Sequence, residues 1–202
     1  MIRLTLCLVL CLTVVSVHTS SAKTSNKNNS NNQKLTLTKN QKDELNNALE
    51  DLRKKANQKL AKNDENFTVS EKVNNKNISF SFYSEPTLER NGLVLAAASQ
   101  RQKSYSATVK NTAGFNFSHR LYGTFLYGKG KVGKYTKHVD LSGPFYSKSA
   151  STHSKRIDSS VVEVSSNGKF KALKYAPVEY TTSIIVRLYG SGTYRILKLR
   201  GA

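Results

Sequence analysis

Apolar and polar positions along this chain change period three times, and each change predicts a different element. Residues 4–17 are an apolar run behind one positive charge, Arg3, and they end in His18-Thr19-Ser20-Ser21-Ala22, small residues of the kind a signal peptidase reads. The run predicts a secretory signal peptide over residues 1–22. It is too short to span a bilayer, and no later stretch approaches the roughly 20 apolar residues a transmembrane helix needs. Residues 23–34, KTSNKNNSNNQK, then offer no apolar side chain to bury, so a disordered polar linker is expected over 23–38.

The second pattern has a helical period. Thr38 and Gln41 have capping-box spacing, and Leu45, Ala48, Leu49, Leu52, Ala56 and Leu60 come after them at three- and four-residue intervals. This predicts one amphipathic helix over 39–63, with Glu50–Lys54 and Asp51–Lys55 as i,i+4 pairs. Its narrow Leu/Ala stripe must pack on the following domain or self-associate. Basic residues crowd its second half, which also suits a membrane-surface helix, but the helix carries four acidic residues and no aromatic.

From Asn77 the period becomes two. Ile78, Phe80 and Phe82 alternate with polar residues, as do Tyr105, Ala107 and Val109, and then Thr182, Ile184, Val186 and Leu188. Further strands are expected at 93–98, 121–127, 135–141, 160–165, 169–175 and 194–199. Turn signals separate them, among them Gly128 to Gly133, Gly190-Ser191-Gly192 and Asn167-Gly168, the last read as a two-residue type I′ hairpin. Residues 144–158, rich in Ser, Lys and Thr, read as the longest loop. About nine short strands with no helix between them predict a mainly β fold, an antiparallel β-sandwich or barrel-like domain over 77–202, preceded by the one amphipathic α-helix.

Composition narrows the chemistry. The 202 residues include two cysteines, Cys7 and Cys11, both inside the apolar leader. The exported chain would therefore have no cysteine, which excludes a disulfide scaffold, a thiol nucleophile and a Cys-ligated zinc site. Sequons stand at Asn28, Asn66, Asn77 and Asn116, acceptor sites for N-glycosylation if the secretory pathway is eukaryotic.

Charge then says what kind of partner to look for. There are 32 Lys and Arg against 13 Asp and Glu, a net of +19. Residues 92–202 carry 18 of the bases and four of the acids, so the β domain holds most of the excess. Lys129, Lys131, Lys134 and Lys137 crowd a glycine-rich tip flanked by Tyr127 and Tyr135, and Lys148, Lys155 and Arg156 stand in the expected loop beside Tyr146. Scattered lysines serve solubility and edge protection; a set with so few acids among them suits a polyanion. The expected partner is a glycosaminoglycan, an anionic cell-wall polymer or acidic lipid, with the seven cations making contact and the three tyrosines adding interfacial or sugar contacts. Nucleic acid would bind only non-specifically, since Lys outnumbers Arg and the protein is expected outside the cell.

Other motifs carry less. Gly128-Lys-Gly130-Lys-Val-Gly133 matches G-x-G-x-x-G, but the adjoining residues 134–143, KYTKHVDLSG, read as a strand, whereas a dinucleotide site needs a helix there. His119, His138 and His153 lack metal-ligand spacing. Asp140, Asp158, Glu163 and Glu179 allow a glycosidase pair by count alone. The expectation is therefore a non-enzymatic protein with no catalytic residues, no metal and no cofactor: a secreted, cationic, all-β binding or effector protein of antimicrobial or toxin-like character. A structural or adhesion protein, a β-pore former using residues 104–110, and a secreted hydrolase are the alternatives.

Overall fold

The computed structural model describes residues 37–87, 100–112, 116–144, 147–171 and 179–201. The leader, nearly all of the polar linker, the strand expected at 93–98 and Tyr146 lie outside the described residues. Among the described residues one helix, α1 (Lys39–Leu60), precedes ten strands: β1 (Phe67–Val73), β2 (Lys76–Pro86), β3 (Arg101–Asn111), β4 (Phe117–Gly128), β5 (Lys131–Tyr135), β6 (His138–Ser142), β7 (Ser147–Arg156), β8 (Val161–Lys171), β9 (Glu179–Tyr189) and β10 (Tyr194–Gly201). They form two antiparallel sheets packed as an open sandwich rather than a closed barrel. Sheet A runs β1-β2-β3-β4, with β5 and β6 sharing the far side of β4; sheet B runs β10-β9-β8-β7.

The two-residue period puts one side of every central strand into the space between the sheets. Ile78, Phe80, Phe82, Ala107 and Leu121 of sheet A meet Val162, Val164, Ile184, Val186 and Leu188 of sheet B, all with no exposed surface. Aromatic pairs cross the gap, Phe82 to Tyr194 and Phe117 to Phe170, each with ring centroids 4.9 Å apart. Each such side chain contributes about 1.5–3 kcal/mol by leaving water, so this layer drives the fold.

α1 fills the side where the sandwich is open, between β1 and β10. Its capping box forms as the spacing predicts, with the Gln41 amide on Thr38 Oγ1 and the Thr38 amide on Gln41 Oε1. The whole Leu/Ala stripe is buried, so the helix packs on the domain rather than self-associating. Asn57 then does what a neighbouring strand would do: its amide nitrogen donates to the Ile196 carbonyl and its oxygen accepts from the Ile196 amide, both at 2.8 Å. An edge strand with free backbone groups is a template for aggregation, and here the helix covers it. The expected i,i+4 ion pairs are replaced by i,i+3 pairs, Arg53 with Glu50 and Lys54 with Asp51, while Lys55 reaches across to Glu71 on β1.

The β region differs from its expected outline in four places. It begins at β1, ahead of residue 77, where inward-facing Glu71, tied to Lys55, hides the alternation of Phe67, Val69 and Val73 in the sequence. Asn167-Gly168 is not a turn: both lie inside β8, which runs unbroken from Val161 to Lys171. Gly168 is there for close approach, since a Cβ would stand 2.7 Å from the Thr182 hydroxyl and 2.8 Å from Leu141 of β6. The expected loop 144–158 is mostly β7, a strand laddered to β8 along its whole length with both faces largely exposed. The expected strand 135–141 is two short strands, since the chain kinks at Thr136, whose carbonyl accepts from Tyr105 Oη at 2.9 Å.

Candidate functional site

Alternation along β7 to β10 also fixes what faces outward on sheet B. Cross-strand register aligns Arg195, Arg187, Glu163 and Lys155 in one row, Lys198, Ile185, Ser165 and His153 in the next, and Arg200, Ser183, Asn167 and Ser151 in a third. Thr181 with Lys169 and Ser149, and Glu179 with Lys171 and Ser147, complete the face. It carries seven cations and two carboxylates. Both carboxylates are already matched: Glu163 accepts from Arg187 at 3.3 Å, and Glu179 lies 2.7 Å from Lys169 and 3.5 Å from Lys171. Among the described residues, Lys155, Arg195, Lys198 and Arg200 have no carboxylate partner within 4 Å.

The middle of this face is a shallow groove of about 650 Å³. Small polar side chains, Ser149, Ser151, Asn167, Thr181 and Ser183, line it, and Lys169, Lys198 and Arg200 supply its charge; no carboxylate is among the lining residues. Asp43 and Glu50 line the neighbouring cleft between α1 and β10 with the same Lys198 and Arg200, but Glu50 is held by Arg53. Lys169 is shared with Glu179, but hydroxyl donors beside Lys198 and Arg200, which pair with no described carboxylate, stabilise sulfate, phosphate or carboxylate groups through charge-assisted hydrogen bonds. Three inter-strand spacings separate Lys155 from Arg195, about 15 Å, enough for an extended polymer rather than a single small ion.

The residues expected to make contact are divided by the structure. The β4–β5 tip forms as a two-residue hairpin, with Lys129 and Gly130 both left-handed at φ 48° and 71°, as a type I′ turn requires. Lys129, Lys131 and Lys134 are exposed there, and Lys137 is half-buried beyond the kink. The tip lies against the turn before β8, through Val132 N to Ser159 O at 2.9 Å, and against the end of β9, where a Cβ at Gly190 would stand 2.2 Å from the Gly130 carbonyl carbon. Lys155 and Arg156 come close to this tip, whereas Lys148, eight positions back along β7, stands about 26 Å away.

Arg156 is used as a structural tie. Its guanidinium donates to the Val132 and Gly133 carbonyls at 2.8 and 3.0 Å and lies over the Tyr135 ring, closing the edge between β5 and β7. Tyr127 and Tyr135 are half-buried, Tyr127 beneath Lys103 and against Phe125, and Tyr135 within 3.3 Å of Ser154 Oγ, so neither presents a free ring. Of the sequons inside the described residues, Asn66, Asn77 and Asn116 are all exposed, and Asn66 Oδ1 accepts from the Ser84 amide.

Between the sheets lies a polar group that the alternation alone does not reveal. His119 of β4 is fully enclosed, with Nε2 2.8 Å from Ser166 Oγ and Nδ1 2.7 Å from Thr182 Oγ1. Burial lowers its pKa to about 4, so the ring is neutral, with one hydroxyl donating and the other accepting. Ser166 is as enclosed as the ring, so the trio fastens β4 to β8 and β9. Glu163 and Glu179 share the outer face of sheet B but are about 26 Å apart along β8 and its partner. Asp140 is on sheet A, and Asp158 holds the turn before β8 by accepting from the Ser160 amide and hydroxyl.

Residues 104–110 belong to β3, paired on both sides within sheet A. No described helix is long and apolar enough to cross a membrane. No protein-family model, no curated protein and no solved structure matches the chain.

Proposed function

We propose that this is a secreted cationic binding protein that docks through the outer face of sheet B on an anionic surface or polyanion, in the manner of a defence or toxin-like effector. The observation that carries the reading is the groove lined by Lys169, Lys198 and Arg200 without a carboxylate, on a face whose two acids are already ion-paired. Chains that present repeated sulfate, phosphate or carboxylate groups, such as glycosaminoglycans and cell-wall polymers, displace counterions along such a surface. That release makes affinity fall steeply with salt. Affinity through diffuse charge needs no catalytic residue and no cofactor. The exposed lysines of the β4–β5 tip form a secondary patch that extends the field at one end of the sandwich.

Heparin chromatography tests the reading. The intact protein is expected to be retained at about 0.1 M salt and released before about 0.5 M, as the screening length shrinks to a few ångströms. The triple variant Arg195→Glu, Lys198→Glu, Arg200→Glu is expected to pass through unretained, while Lys129→Glu, Lys131→Glu, Lys134→Glu shifts elution only modestly. Equal retention of the wild type and the sheet B variant would falsify the assignment of the face.

A further inference from the structure

The opposite face has a different composition, and it points to a different ligand. On the outer side of sheet A, register aligns Tyr83 of β2, Ser106 of β3, Tyr122 of β4 and His138 of β6 in one row. Ser106 is small, so a trough of about 400 Å³ opens between the two tyrosines, floored by Ser106 and edged by Ser104, Thr124 and Glu85. Strands two apart place the tyrosines about 10 Å from each other.

Three features show that the trough is built. Arg120 is held on one ring, its guanidinium carbon 4.5 Å from the Tyr122 centroid, and its Nε donates to Ser106 Oγ at 2.8 Å. His138 lies against the same tyrosine, ring centroids 5.3 Å apart. Among the described residues no carboxylate pairs with Arg120, so its terminal nitrogens remain donors. Tyr83 is the most exposed large aromatic side chain described, at 50%, and only its hydroxyl is tied, 3.4 Å from Thr68 Oγ1.

Charge separates this trough from the groove on sheet B. Among the described residues its lining holds one fixed cation, Arg120, and one carboxylate, Glu85, so it does not gather positive charge as the groove on sheet B does. It offers instead an exposed aromatic ring, fixed donors at Arg120, an acceptor at Glu85 and hydroxyls between them. A ligand that matches all of these has apolar C–H faces to lie on Tyr83 and a rim of hydroxyls that both donate and accept. We infer that the outer face of sheet A is a binding site for a neutral saccharide chain, lying across Tyr83 and hydrogen-bonded to Arg120 and Glu85. The site is independent of the polyanion groove and stands whether or not that groove binds.

Calorimetric titration of the full-length protein with cellohexaose, hexa-N-acetylchitohexaose and trigalacturonate, at about 0.1 and about 0.5 M salt, tests it. At least one neutral hexasaccharide is expected to bind with the same affinity, within about twofold, at both salt concentrations. Tyr83→Ala, at a half-exposed position that leaves the core intact, is expected to weaken that binding about tenfold or more while heparin retention is unchanged. The Arg195→Glu, Lys198→Glu, Arg200→Glu variant is expected to bind the sugar as the wild type does. The inference is overturned if neither neutral hexasaccharide binds, or if binding survives Tyr83→Ala. Binding of trigalacturonate alone, abolished by Arg120→Ala, also overturns it and makes the trough an acidic-sugar site.

Discussion

The two outer faces of the sandwich are built by the same rule and end up chemically opposed. Each is the solvent side of an antiparallel sheet whose other side is core, and each holds a shallow depression floored by small hydroxyl-bearing residues. On sheet B the depression is walled by Lys169, Lys198 and Arg200, and on sheet A by Tyr83, Tyr122 and one immobilised arginine balanced by Glu85. Net charge alone therefore says little about where the charge of such a fold stands. A chain of +19 concentrates unpaired cations on one face while leaving a nearly neutral, aromatic surface on the other.

The largest effect is expected from removing what supports both faces. Leu52 is wholly buried where α1 seals the open side of the sandwich, and Leu52→Ala is expected to cost about 2–5 kcal/mol in urea unfolding. Near-wild-type stability would show that the helix is an appendage after all. Acid comes next. His119 titrates near 6.5 when unfolded and about 4 when folded, so the unfolded chain takes up a proton first as pH falls. Stability should be complete above about pH 6.5, decline through the interval and level off below about pH 4, a loss of about 3 kcal/mol at 1.36 kcal/mol per unit. Unfolding midpoints measured from pH 7 to 4 check this, and a flat profile would mean that the ring is not held neutral between Ser166 and Thr182.

Sharper tests act on one part at a time. Asn57→Ala removes both side-chain bonds to the β10 edge, leaves the Ile196 groups short of partners, and is expected to cost about 1–3 kcal/mol. Its Leu/Ala face intact, the helix should stay folded by circular dichroism while hydrogen exchange at Ile196 accelerates. Lys198→Glu with Arg200→Glu is expected to weaken heparin binding about tenfold, near 1.4 kcal/mol, with no change in melting temperature. Reversing Lys129, Lys131 and Lys134 should have the smallest effect, about twofold in heparin affinity, because the tip lies at the end of the sandwich, outside the groove, and adds only to the distant field. A larger effect at the tip than in the groove would reverse the ranking of the two cationic surfaces.

Much of the scaffold is legible in the order of residues. The helix and its cap are implied by Thr38, Gln41 and the Leu/Ala spacing, and β2, β3 and β9 by strict alternation, because a half-buried element must show its period. β7 is illegible for the same reason: with both faces exposed it has no inner side to mark, and SKSASTHSKR reads as loop. Asn167-Gly168 misleads because a glycine needed for close packing against Leu141 and Thr182 looks the same as one needed for a turn. Arg156 reads as a contact residue, yet its guanidinium is taken by two carbonyls of β5, a partnership across 23–24 positions that no local pattern signals.

The order of residues alone implies that this chain makes a helix and many strands, that its β part has too few acids for its bases, and that no cysteine follows Cys11. Those are local or additive properties, set by period and by count. The tertiary structure alone decided which cations stand together and which are occupied. Rows such as Arg195, Arg187, Glu163 and Lys155 arise only when three pairings fix their register, and charges interact by distance through space rather than by position along the chain.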